Sequence, residues 1–139
     1  PVLKGVTDIW GPTDVYGVRK LPADAQVIVH GQVLAGMKPS SEPVTGRKNE
    51  PMMPLVWLRA FKTESGKTSR VLATTMGAST DLQSAGLRRL LVNGCYWGLG
   101  LESRISATSD VSYVGSYKPT RFGFGSYVKG VKPADHAIE

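Results

Sequence analysis

The stretch PMMPLVWLRAFKTESGKTSRVLATTMGASTDLQSAGLRRLLVNGCYWGLGLE (residues 51–102) decides the reading of the fold. Residues 55–61 hold Leu55, Val56, Trp57 and Leu58 and read as a strand. Thr63-Glu64-Ser65-Gly66-Lys67 is turn chemistry, and residues 70–75 return as a second strand. A short polar turn between two apolar runs predicts an antiparallel hairpin. The loop Thr74-Thr75-Met76-Gly77-Ala78-Ser79-Thr80 then leads into a helix. Thr80-x-x-Gln83 fits a capping box, with Asp81 in the first turn at the positive end of the helix dipole. Leu82, Leu87, Leu90, Leu91, Trp97 and Leu101 lie near helical spacing and give one apolar face. Arg88 and Arg89 fall on the wet side, and Gly98 and Gly100 offer the stop. Gly94 inside the helix points to close packing, since a mid-helix glycine otherwise costs up to about 1 kcal/mol.

Upstream, residues 26–34 (QVIVHGQVL) are rich in β-branched residues and read as a further strand. Strict alternation would put Val27 and Val29 on one face, Ile28 and His30 on the other. Residues 36–54 hold Pro39, Pro43, Pro51 and Pro54 among glycine, serine and charges, and predict a long exposed loop with a binding character. Near the start, Gly11-Pro12 followed by Thr13 and Asp14 predicts a turn, flanked by Trp10 and Tyr16. Those two rings are either packing anchors or the walls of a cleft.

The chain changes character after residue 110. Residues 111–134 contain no acid and interleave Tyr113, Tyr117, Phe122, Phe124 and Tyr127 with Lys118, Arg121, Lys129 and Lys132. Such a tail either stacks bases and holds phosphates, or wraps its own domain with the rings buried. Its spacing fits no RNA-binding signature, which favours docking. The organisation expected is therefore a domain over residues 1–110 and an irregular basic, aromatic extension over residues 111–139.

Composition sets the outer limits. With 139 residues, 41% of them hydrophobic, one globular core is expected. No apolar run approaches the roughly 18 residues of a membrane span. Residues 1–10 lack the basic start and apolar block of a signal peptide, and a first residue of Pro1 rather than Met suggests a processed or truncated product. The net charge of +6 favours loose attraction to polyanions but is weak support for a nucleic-acid protein. The single cysteine, Cys95, is expected to be a buried, inert thiol.

For chemistry, the loop 75–80 is the first candidate. Gly77 allows a ligand close to the backbone, Thr75, Ser79 and Thr80 add hydroxyls, and free N–H groups at a helix start suit phosphate, carboxylate or a developing oxyanion. The same hydroxyls also serve as plain caps. Trp10, Asp14 and Tyr16 join the loop as candidate ligand contacts, since rings suit sugar faces and Asp or Thr suit hydroxyls. No catalytic residue can be named: His30 and His136 lack a context that marks a base, and Asp8, Asp14 and Asp81 are explained by turns and caps. No metal-ligand spacing is present and no cofactor is expected.

The order DIWGPTDVYGV, GQVLAGMKP, MPLVWLRAF, RVLATTMGASTDL, LRRLLVNGCYWGLGLE resembles the C-terminal half of ThuA-like (trehalose-utilisation-like) domains. The closing YKPTRFGFGSYVKGVKPADHA resembles the tail of a bacterial branch of that family usually made for export. The resemblance implies an α/β fold, part of a flavodoxin-like sandwich of the glutamine amidotransferase-like superfamily. The sheet would then be mostly parallel with helices on both faces, and a missing N-terminal half, a second chain or a homo-oligomer would complete it. It also implies a link to carbohydrate metabolism outside the cytoplasm, in the periplasm or secreted. Many relatives carry Gly-His after the hairpin; Gly77-Ala78 stands here, so an amidotransferase triad is not intact. Two functional expectations follow. One is a sugar-derived ligand at the strand-to-helix loop. The other is a non-catalytic module that docks a partner protein or polyanion through the tail.

Overall fold

The computed structural model describes residues 1–121 and 123–137. The described residues are mixed α/β, with three strands and one long helix. The strands β1 (Gln26–Gly31), β2 (Met53–Lys62) and β3 (Thr68–Thr74) form one sheet in that order. Helix α1 spans Ala85–Gly98.

The hairpin expected from the decisive stretch is present. β2 and β3 pair antiparallel in unbroken register from Val56↔Thr74 to Lys62↔Thr68. The turn closes through the Lys67 carbonyl, which accepts from the Thr63 N–H at 2.8 Å. Gly66 takes φ of 78° there, a left-handed conformation that a side chain would strain. β1 also pairs antiparallel with β2, so the described strands run antiparallel where the resemblance implied a mostly parallel sheet. The reason lies in the connections. Parallel neighbours need a crossover of a dozen or more residues, usually a helix. Here one link is the tight turn at residues 63–67, and the other, between β1 and β2, holds no helix.

β1 departs from strict alternation. Its register slips between Val27 and Val29 and again between Val29 and His30, so Ile28 and Val29 both pack against the core. An extra residue in one strand bends it and resets which face each side chain meets. The loop after β1 is more ordered than its composition implies. Leu34 and Pro43 form a bridge, and the Asn49 amide reaches Val33 and Val44.

Helix α1 covers the face that carries Val56, Leu58 and Leu72. Leu87 and Leu90 are fully buried, and Gly94 lets the Leu72 side chain close onto the helix backbone. Leu82, Leu91 and Trp97 pack at the margin, while Leu101 is exposed. Cys95 is exposed, not buried as its apolar neighbours suggested. The first residues of the chain complete the core. Val2 is buried, and the buried Asn93 amide donates to the carbonyls of Val2 and Lys4, both at 2.9 Å. Lys4 in turn donates to the Ile105 carbonyl at 2.9 Å.

At the far end of the helix, Arg70 of β3 stacks on the Trp97 ring, donates to the Trp97 carbonyl and pairs with Glu102. Its own backbone N–H and the Arg70 guanidinium hold the Glu102 carboxyl below the usual glutamate value. A carboxyl lowered by folding contributes stability above its unfolded value and loses it as pH falls through the folded value. Titrating the side-chain carboxyl by NMR should therefore place Glu102 below free glutamate, and Arg70→Gln should bring it back up. An unshifted Glu102 would show that the pair does not persist in solution.

Candidate functional site

The helix does not begin where the capping box predicts. Thr80 has helical backbone angles, φ −71° and ψ −26°, and caps nothing with its side chain. Residues Asp81–Gln83 form a single 3₁₀ turn. Ser84 then swings to an extended conformation and caps α1, accepting from the Leu87 N–H at 3.4 Å. The cause is Asp81. Its carboxylate turns back onto the loop and accepts from the N–H groups of Gly77 (3.1 Å) and Ala78 (3.0 Å) and from the Thr13 hydroxyl (2.8 Å). It is 1% exposed. The loop, the helix entry and the N-terminal segment are therefore tied at one buried carboxylate. Gly11 allows this approach, because a β-carbon there would meet the Met76 side chain and the Asp81 carboxylate.

Two clefts flank that knot. The first, about 390 Å³, lies between the N-terminal segment and β1 with its following loop. Trp10, Asp8, Thr13, Asp14, His30 and Gln32 line it over an apolar floor that includes Val29, Leu55 and Met76. Its size is at the small end for ligand pockets. The second, about 340 Å³, lies at the start of α1, lined by Trp10, Thr7, Asp8, Thr80, Gln83, Ser84, Ala85 and Gly86. Trp10 and Asp8 are walls common to both.

The seven expected contact residues are thus divided. Trp10 and Asp14 meet in the first cleft, and Trp10 and Thr80 in the second. Thr75, Gly77, Ser79 and Tyr16 line neither. The Thr75 N–H bonds the Leu55 carbonyl at 3.0 Å, and its hydroxyl is buried without a partner among the described residues. Gly77 is committed to Asp81. Tyr16 is 56% exposed. Ser79 is occupied by the chain's own tail: its hydroxyl donates to the Thr120 carbonyl (3.1 Å), and its carbonyl accepts from the Tyr117 hydroxyl (2.5 Å).

That tail contact is extensive. Arg88, placed on the wet side by periodicity, donates to the carbonyls of Val111, Leu82 and Gln83 and to the Tyr113 hydroxyl. Its guanidinium lies 4.2 Å from the Tyr113 ring centre, and Tyr113 stacks on Tyr117 at 4.7 Å. Arg89 donates to the Ser109 carbonyl. The tail is therefore tied to the helix start and the loop at Ser109, Val111, Tyr113, Tyr117 and Thr120. Beyond them, Phe124, Tyr127 and Val128 are exposed.

Sequence reasoning did not pick out Asp81 as the knot, Thr13 as its partner, or Arg88 as the tail's anchor. Among the described residues, no group of three or more His, Cys, Asp or Glu side chains could hold a metal ion, and no helix is long and apolar enough to cross a membrane. Searches of family models, curated proteins and solved structures return no match to this chain.

Proposed function

We propose that the chain is the C-terminal part of a ThuA-like domain, of the periplasm or secreted, that binds a sugar-derived ligand against Trp10. The observation that carries this reading is the first cleft. One indole wall stands beside Asp8, Thr13, Asp14 and Gln32 over an apolar floor. A sugar ring presents an apolar face for an indole and hydroxyls that both donate and accept, and this lining offers partners for each. The ligand position moves from the loop itself to the cleft beside it, because the loop is held by Asp81 and the tail. The flavodoxin-like sandwich belongs to the same reading. The described sheet ends at β1 on one side and β3 on the other, so further strands from a missing half, a second chain or another copy have edges to join.

The second reading, a module that docks a partner protein or polyanion, is favoured by one observation. Residues 123–137 expose Phe124, Tyr127 and Val128 together with Lys129 and Lys132. One experiment separates the two. A panel of hexoses is titrated calorimetrically against the full chain, Trp10→Ala, and a chain ending at Thr120. The sugar reading expects millimolar or tighter binding, at least tenfold weaker in Trp10→Ala, which corresponds to about 1.4 kcal/mol. The truncated chain should bind sugar unchanged. Binding lost on truncation, or indifferent to Trp10, would overturn the cleft reading in favour of the tail.

A further inference from the structure

The tail changes its relation to the domain along its length. Up to Thr120 it is bonded to α1 and the loop before it. Every residue from 124 to 137 is exposed. Hydrogen bonds there close locally: the Ser126 N–H donates to the Gly123 carbonyl at 3.0 Å, and the Lys132 N–H to the Asp135 carboxylate at 2.7 Å. Lys129 and Gly130 form a turn, with Gly130 at φ 87°, a left-handed conformation that favours glycine. The turn presents apolar side chains to solvent. Tyr127, Val128 and Val131 are 78%, 79% and 48% exposed, interleaved with the exposed Lys129 and Lys132.

A separate observation is the one-sided charge. Lys118, Arg121, Lys129 and Lys132 are all exposed, and no acid occurs between residues 111 and 134. The ion pairs among the described residues, Arg59 with Asp24 and Arg70 with Glu102, involve none of these four. Cations without counter-charges thus flank apolar groups without cover, on one short turn.

We propose that residues 127–132 dock on an anionic lipid surface. The three apolar side chains enter the headgroup boundary, and the lysines meet the lipid phosphates. A tyrosine suits that boundary, since its ring is apolar and its hydroxyl stays wet. Lysine stems lie along apolar surface while their ammonium groups remain at the polar level. Charge complementarity selects an anionic surface, which attracts such clustered cations. The two valines select a bilayer over a nucleic acid. A nucleic acid binds cations and stacks on aromatic rings, but it offers an aliphatic side chain nothing like acyl chains. The attachment is peripheral, through a turn that lines neither cleft, and it does not depend on sugar binding.

The test sediments the full chain with vesicles of phosphatidylcholine alone and of phosphatidylcholine mixed with phosphatidylglycerol. The chain should pellet with the anionic vesicles and stay in solution with the neutral ones. Lys129→Gln and Lys132→Gln should each weaken binding about fivefold, the effect of one charge near an anionic surface. Tyr127→Ser combined with Val128→Ser leaves the charge intact and should also weaken it about fivefold or more. All these positions are exposed, so the urea midpoint of each variant should match the parent.

Equal pelleting with both vesicle types, or with neither, would overturn the proposal without any variant being needed. Binding that ignores the serine variant would reduce the contact to charge alone and overturn the apolar docking. Single-stranded DNA that strips the chain from anionic vesicles and binds it more tightly would assign the turn to nucleic acid instead. A dimer in sedimentation equilibrium that the serine variant dissolves would assign the turn to a second copy of the chain.

Discussion

Replacing Asp81 by alanine is expected to lower the stability of the fold by about 3 kcal/mol, the scale of losing two or three hydrogen bonds to a charged group. The carboxylate accepts from Gly77, Ala78 and Thr13, and so ties the loop after β3 to the N-terminal segment. Water can reach part of the loop, so the loss stays below the simple sum of the separate bonds. Asp81→Asn separates the polar latch from mere packing. An amide has the same shape and keeps one acceptor oxygen for the Gly77 and Ala78 N–H groups, while its NH₂ can donate to the Thr13 oxygen. Its cost should be about 1 kcal/mol, because the retained bonds lose only their charge assistance. Urea denaturation of the three proteins measures both differences. Equal losses for alanine and asparagine would show that the carboxylate does not organise the loop. If the first cleft holds a sugar as proposed, the alanine variant should also bind it more weakly, since Gly11, which lines that cleft, is seated against Asp81.

The sequence made the hairpin and the apolar face of α1 legible, because both rest on local periodicity and turn chemistry. Gly66 in the turn and the Leu87–Leu90 pair are where the spacing puts them. What it could not show depends on contacts between distant segments. Thr80-x-x-Gln83 is a sound capping pattern, yet Asp81 lies between the two and has stronger partners in Gly77, Ala78 and Thr13. The cap then falls to Ser84, four residues later. The signal in hindsight is an aspartate three and four residues after a Gly-Ala pair, positioned to accept both N–H groups. Arg88 is solvent-facing by helical periodicity alone; only the returning tail turns it into an anchor. The site suffered most for the same reason. Trp10, Asp14 and Thr80 do line clefts, but Ser79 and Gly77, the loop residues with the most permissive local chemistry, are consumed by the tail and by Asp81.

Gly86→Ala sets two effects of opposite sign against each other, and sterics should win. Helix propensity alone favours alanine over glycine inside α1 by up to about 1 kcal/mol. The added β-carbon, however, falls on the Asp8 carbonyl oxygen, well inside contact distance, and next to the Ile9 side chain. The obstacle is backbone, so no rotamer change relieves it. Overfilling a packed site costs about 1–3 kcal/mol, and here the N-terminal segment must lift away from the helix. A net loss of about 2 kcal/mol is expected in urea denaturation, together with faster amide exchange over residues 6–12. Gly98→Ala supplies the control within the same helix. A β-carbon there meets nothing within 4 Å, so propensity acts alone and the variant should be neutral or slightly more stable. Because Asp8 and Trp10 wall both clefts, lifting the segment should also weaken sugar binding in Gly86→Ala and spare it in Gly98→Ala. If Gly86→Ala instead gains stability like its control, the N-terminal segment is not seated on α1.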